Sequence, residues 1–403
     1  MGAEWKTIVF TAPEATEGEA RRITMMLVCG HADIVHLRKP GYSRRQMRDL
    51  LLEIPVELHP QLRLHDHFDL LDEFPGVGGV HLNSRNPEAP AQARCVSRSC
   101  HTLEELKGAE GYDYVTLSPI YDSISKPGYR SAFDTERLRA AIGRGRVIAL
   151  GGVTPGRFAE LRDMGFAGAA LLGYIREGGP EREAAAGKAG RLLRRFGLQF
   201  VTDGRTAEET VSQVYDAVAG GCRWVQVRMK EADDAEVAEA LRRVRQVCSA
   251  TGTTLLVDDR VGLAAECLSD GVHLGKEDMP AGEARALLGE LAIVGCTANS
   301  EEDVRRIADG GGADYIGMGP YRFTTTKKRL APVLGSDGYR RVTAWMRANG
   351  IYLPVTAIGG ITAEDIAELR ESGVQGVAVS GAIAHAPDRV AATRELLRKL
   401  NDI

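Results

Sequence analysis

Gly271-Val272-His273-Leu274 closes the fourth apolar run in the second half of this chain, and the same four residues stand 192 positions earlier as Gly79-Val80-His81-Leu82. Other words recur around this pair. His36-Leu37-Arg38-Lys39 is answered by Gln226-Val227-Arg228-Met229-Lys230, and Asp113-Tyr114-Val115 by Asp314-Tyr315-Ile316. Leu150-Gly151-Gly152-Val153-Thr154 is answered by Ile358-Gly359-Gly360-Ile361-Thr362. The offset grows in order from 190 through 192 and 201 to 208. Kept order with a growing offset describes a duplicated domain whose second copy has gained residues.

Each copy carries eight short apolar runs. In the first they lie at 7–12, 34–39, 63–67, 79–83, 95–100, 114–119, 146–152 and 168–173. In the second they lie at 198–203, 224–230, 254–259, 271–275, 293–298, 315–320, 354–360 and 376–381. The stretches between have helical spacing; in 235–244, Val237, Ala240, Leu241 and Val244 share one stripe. Eight strand-then-helix units in about 200 residues are the pattern of a (β/α)8 barrel. The expected fold is therefore α/β, two TIM barrels in tandem over 1–192 and 196–403, joined near 191–196 after the basic helix 184–195.

Composition is that of an ordinary globular protein. The chain has 403 residues, 44% hydrophobic and 26% charged, with a net charge of −4. So weak a negative charge offers no field for nucleic acid or an anionic membrane surface. No apolar run reaches the roughly 18 residues a membrane span needs, and the first residues lack the features of a signal peptide. Seven cysteines without CxxC spacing read as free thiols in a reducing compartment, and the expected location is cytoplasmic. A homo-oligomer is compatible with all of this.

Active sites of such barrels sit at the C-terminal ends of the strands. In the second copy, strand two ends in Gln226, Arg228 and Lys230, which alternation points to one side. Strand three ends in Asp258-Asp259-Arg260, and Asp278 follows strand four. Alone, Asp258-Asp259 is a turn or helix cap; paired with Asp278 from the next strand end, it suits an oxygen-liganded Mg²⁺ completed by substrate phosphates. The loop after strand six, Phe323-Thr324-Thr325-Thr326-Lys327-Lys328, carries three hydroxyls and two ammonium groups for phosphate oxygens. Gly359-Gly360 after strand seven and Ser380-Gly381 after strand eight bare backbone N–H groups where barrels bind phosphate. One anion site thus suits a diphosphate and the other a monophosphate.

Together these words resemble thiamine phosphate synthase over nearly all of 196–403. The segments are Gln226-Val-Arg228-Met-Lys230, Asp258-Asp259-Arg260, Gly271 to Asp278, Gly295-Cys296-Thr297, Gly319-Pro320 with Thr324 to Lys328, Ile358 to Thr362, and Val379-Ser380-Gly381. The resemblance implies coupling of hydroxymethylpyrimidine diphosphate to thiazole phosphate with release of diphosphate. It implies Asp259 and Asp278 as Mg²⁺ ligands. Arg228, Lys230 and Lys327 would neutralise the leaving diphosphate, with Thr324 and Thr326 donating hydroxyls. Gln226 would contact the pyrimidine, and Gly360, Ser380 and Gly381 would hold the thiazole phosphate. Asp258 stands where the family usually has Asn, and Cys296 where many members have Ser; both are expected at the substrate.

The first copy keeps the scaffold and loses most of the diphosphate set. Gln226 becomes His36, Lys230 becomes Pro40, and Asp278 aligns with Asn86. Gly151-Gly152 and Leu172-Gly173 remain. Seven of the nine histidines lie here. His81 has a twin in His273 and reads as structural; His36, His65 and His101 have none and suit proton transfer near neutral pH. With Gly152 they are the candidate site of this half, which looks like the synthase-like relatives that include the thiazole tautomerase. A tautomerase, a structural or regulatory barrel, and a weak second synthase are the readings for it. For the whole chain the rival readings are another phosphate-binding barrel, such as an epimerase or indole-type synthase, and a non-catalytic phosphate-ligand binding protein.

Overall fold

A computed structural model describes residues 5–122, 133–142, 146–323 and 332–401. It contains two closed eight-stranded parallel barrels, so the chain is two tandem (β/α)8 TIM barrels. The compact units divide between Arg194 and Arg195.

The first barrel is β1 (Lys6–Phe10), β2 (Ile34–Leu37), β3 (Leu62–Leu64), β4 (Gly79–Leu82), β5 (Val96–Cys100), β6 (Tyr114–Leu117), β7 (Val147–Ala149) and β8 (Gly168–Leu171). It closes where β1 pairs with β8, Lys6 opposite Gly168. The second is β9 (Leu198–Val201), β10 (Trp224–Val227), β11 (Thr254–Asp258), β12 (Gly271–Leu274), β13 (Ile293–Ala298), β14 (Tyr315–Met318), β15 (Val355–Ile358) and β16 (Gly376–Val379), closing through β9 and β16.

Strand alternation sets the layers of the second barrel. Val225, Val227, Val257, Val272, Val294 and Ile316 face outward and join one apolar cluster with the helices. Helix Asp234–Thr251 shows how these helices are made: Val237, Ala240, Leu241 and Val244 are its buried stripe, the Asp233 side chain accepts from Glu236 N, and Gly252 ends it at φ 64°.

The first barrel is less regular. Only a short 3-10 helix, Phe68–Asp72, lies between β3 and β4. The connection from β4 to β5 is 13 residues long against 18 between β12 and β13, and no helix occurs in it among the described residues. No helix of the described residues is long and apolar enough to cross a membrane.

Candidate active site

The two mouths superpose in chemistry as well as in order. Thr11 Oγ1 accepts from Arg38 N at 2.9 Å in the first barrel, and Thr202 Oγ1 accepts from Arg228 N at 2.9 Å in the second. In register, His36 lies opposite Arg63 and Gln226 opposite Leu256, so His65 occupies the place of Asp258.

In the second barrel a polar chain climbs from the lumen to the rim. Gln199 Nε2 donates to the Tyr315 hydroxyl and to Gln226 Oε1, each at 3.1 Å. Gln226 Nε2 donates to Asp258 Oδ1, and Asp258 Oδ2 ion-pairs Arg228 Nε at 3.3 Å. His273 bonds Tyr315 through Nδ1 at 2.9 Å and Thr297 Oγ1 through Nε2 at 3.0 Å. Burial pushes the Tyr315 phenol far above its usual range, which keeps it a neutral strut. Gly295 makes its room: a Cβ there would meet the Tyr315 ring at 2.3 Å. Gln199, Thr297 and Tyr315 are thus site supports beyond those given roles from sequence; their visible signals were Gln199, polar amid Leu198, Phe200 and Val201, and the sequence words that hold Tyr315 and Thr297.

At the rim, Asp259 has φ 62°, a left-handed conformation that aspartate tolerates and that turns the chain at the strand end. Its carboxyl titrates above the ordinary range, through partial burial first, then the neighbouring Asp258 and the hydrogen-bonded Asp278. Asp278 Oδ2 is fixed by Gly275 N at 2.6 Å. Two acids pressed together with hard oxygen donors fit a divalent cation such as Mg²⁺, whose charge would relieve their repulsion. Lys230 is exposed beyond β10. Thr324, Thr326 and Lys327 lie outside the described residues.

Beyond β15 and β16, Gly360 has φ 70°, and a Cβ on it would meet Arg322 Cγ at 2.5 Å, so glycine is also needed there for packing. Ser380 Oγ is buried and has no hydrogen-bond partner among the described residues, so its hydroxyl can donate to a phosphate oxygen. Gly381 follows it directly.

Cys296 is a correction. It belongs to the outer apolar cluster, and burial raises its thiol pKa to about 11. Alternation turns the neighbouring Thr297 inward instead, and the Cys296 side chain faces away from the lumen.

The first barrel has a cavity of about 650 Å³ at its mouth, lined by Arg38, His65, Arg85, His101, Ser118 and Gly152 among others. His101 is exposed there, its Nδ1 3.2 Å from both Ser118 O and Ser118 Oγ. His36 is a second correction: it does not line this cavity. It is fully buried beneath it, with Nδ1 2.9 Å from His65 Nε2 and Nε2 2.6 Å from the Tyr114 hydroxyl. His36, His65 and His81 form one cluster, their ligand atoms within 4.8 Å of one another. Burial holds His36 and His65 well below the ordinary imidazole pKa, and His81 at about 3, so all three are neutral. His81 spans Ser97 Oγ and Ser99 Oγ, each at 2.9 Å.

Residues 7–175 and 198–383 match the family described as thiamine monophosphate synthase. The thiamine-phosphate synthase of Bacteroides fragilis is 50% identical over 200 residues, spanning 50% of this chain and 98% of that protein. The thiamine-phosphate synthase of Flavobacterium johnsoniae is 39% identical over 203 residues, spanning 50% and 95%. Among solved structures, the thiamine phosphate pyrophosphorylase from Pyrococcus furiosus is 34% identical, covering 52% of this chain and 98% of its own, with a TM-score of 0.47.

Proposed function

The chain belongs to the thiamine monophosphate synthase family, whose members are transferases, and from that premise we propose that its second barrel couples hydroxymethylpyrimidine diphosphate to thiazole phosphate. The observation that carries the assignment to this barrel is the adjacent Asp259 and Asp278 carboxylates beside the Gln226–Asp258–Arg228 chain.

Asp259 and Asp278 would hold Mg²⁺, which supplies positive charge to the departing diphosphate. Arg228 and Lys230, with Lys327, meet the remaining negative charge. Gln226, its amide fixed at both ends by Gln199 and Asp258, orients the pyrimidine. The C–O bond to the diphosphate breaks with its electron pair on oxygen. The thiazole nitrogen, positioned through its phosphate on Gly360, Ser380 and Gly381, donates its lone pair to the methylene carbon. No protein nucleophile and no proton transfer are required. The unpartnered Ser380 hydroxyl supports the phosphate placement.

For the first barrel, residues 1–192, we propose handling of the thiazole partner, with His101 moving a proton as in a tautomerase. His101 is the exposed imidazole of the mouth cavity, which supports it over the buried His36. The free thiols fit a reducing cytoplasm. The deciding experiment is thiamine phosphate formation by the full chain from the two substrates, with Mg²⁺ and with chelator. Mg²⁺-dependent product is expected; absence of product under both conditions overturns the synthase reading.

A further inference from the structure

In the second barrel the rim presents two carboxyl groups in contact, Asp259 and Asp278. By the strand-four repeat, Asn83 to Asn86 correspond to Gly275 to Asp278, so Asn86 takes the place of Asp278 and Arg85 that of Glu277. Asp66 is the single acid left. It is already occupied: Arg85 Nε and Nη2 both reach Asp66 Oδ1 at 3.2 Å, Nη2 reaches Oδ2 at 3.3 Å, and Asn86 Nδ2 donates to Oδ1 at 2.9 Å. A divalent cation would need these oxygens bare, and it would face a guanidinium. The first barrel does not fit Mg²⁺.

What replaces it is a fixed organic cation. Arg38, Arg85 and Arg98 line the mouth cavity with Glu105 as the one carboxylate of its lining, and Asp66 ion-pairs Arg85, so guanidinium groups outnumber carboxylates there. Burial and the nearness of Arg85 disfavour the charged form of Arg38, and an anion would relieve both. The lysine of this strand end cannot help: Lys39 is fully buried, ion-paired with Glu19 and bonded to Glu14 O. The diphosphate clamp is therefore dismantled, while Gly152 and Gly173 still border the same cavity.

We propose that the mouth of the first barrel binds a phosphate monoester without any divalent cation, with the Arg85 guanidinium in the place a metal takes in the second barrel. The comparison rests on reading Asp259 and Asp278 as the metal pair.

The test uses the full chain and two probes, Mn²⁺ and inorganic phosphate. Bound Mn²⁺ counted by electron paramagnetic resonance should be one per chain and should vanish in Asp278→Ala. The double change Arg85→Glu with Asn86→Asp rebuilds the acid pair and should add a second Mn²⁺. Phosphate titrated in chelator, with ring-¹³C histidine, should shift the His65 and His101 signals saturably. Arg85→Ala should weaken that site by about tenfold, the scale of a lost charge-assisted hydrogen bond, and Arg85→Lys should recover part of it. Two Mn²⁺ in the native chain, one of them surviving Asp278→Ala and lost in Asp66→Asn, overturn the proposal. So does a phosphate response that appears only when a divalent cation is added, or none at all. Zero Mn²⁺ in the native chain would sink the metal pair of the second barrel, and the phosphate titration would still decide the first.

Discussion

Asp258 Oδ2 lies 3.3 Å from Arg228 Nε while its other oxygen accepts from Gln226, so one carboxylate sets the direction of two residues assigned to the substrate. Gln226 lies in β10 with Arg228 just past its end, and Asp258 ends the neighbouring β11, which makes the pairing a property of the β10–β11 register.

Asp258→Ala is expected to lower kcat/KM on the order of 100-fold, the usual cost of misplaced reacting groups. Asp258→Asn keeps a partner for Gln226 and should lose less. Steady-state kinetics of both variants check the ranking; equal losses would show that the bond to Gln226 is dispensable and that the Arg228 ion pair, absent from both variants, carries the effect.

Asp278→Ala should abolish coupling and leave thiazole phosphate affinity nearly unchanged, because the acid pair and the Ser380 hydroxyl serve different phosphates. Calorimetry with thiazole phosphate beside a coupling assay reads both. Joint loss of binding and coupling would contradict the two-site division.

Gly295→Ala places a Cβ 2.3 Å from the Tyr315 ring, which Tyr315 cannot yield without breaking its bonds to Gln199 and His273. Overpacking costs about 1–3 kcal/mol, so a melting temperature lower by several degrees is expected in a thermal scan, with coupling activity reduced as well.

His101→Ala should slow proton exchange on thiazole phosphate, followed by deuterium incorporation in NMR, whereas His36→Ala should act mainly through stability. Unchanged exchange in His101→Ala would remove that residue from the proposed proton transfer.

The buried imidazoles give a pH dependence of stability. In the unfolded chain they take up protons below about pH 6.5, while His36, His65 and His81 stay neutral when folded, His81 down to about pH 3. The unfolded state then binds more protons, so stability is full above pH 6.5 and falls as pH drops below it, by up to about 1.4 kcal/mol per pH unit for each histidine. Melting curves between pH 7.5 and 5 should show the loss, and His36→Gln should lessen it.

Much of this architecture was legible because a parallel barrel repeats one local problem eight times, and the chain solves it twice with the same words. The rim acids were legible for the same reason: Asp259 and Asp278 follow strands whose ends the repeats locate. Cys296 was misread because alternation has a period of two, and one residue decides between lumen and outer layer. Thr297, next to it, faces inward. The contacts among His36, His65 and His81 could not be read from spacing, since β2, β3 and β4 meet only when the sheet curls. The pairing of Arg85 with Asp66 was hidden likewise, although Asn86 in place of an acid was visible.

The connection from β4 to β5 adds no helix to the outer layer beside β5, and Val96 and Arg98 are only partly buried. A strand so thinly roofed opens at lower free energy than its neighbours. Its amides should be among the first of the barrel strands to exchange with deuterium, and 83–95 should be an early point of proteolytic nicking, so fraying of this barrel begins beside the Arg85–Asp66 pair.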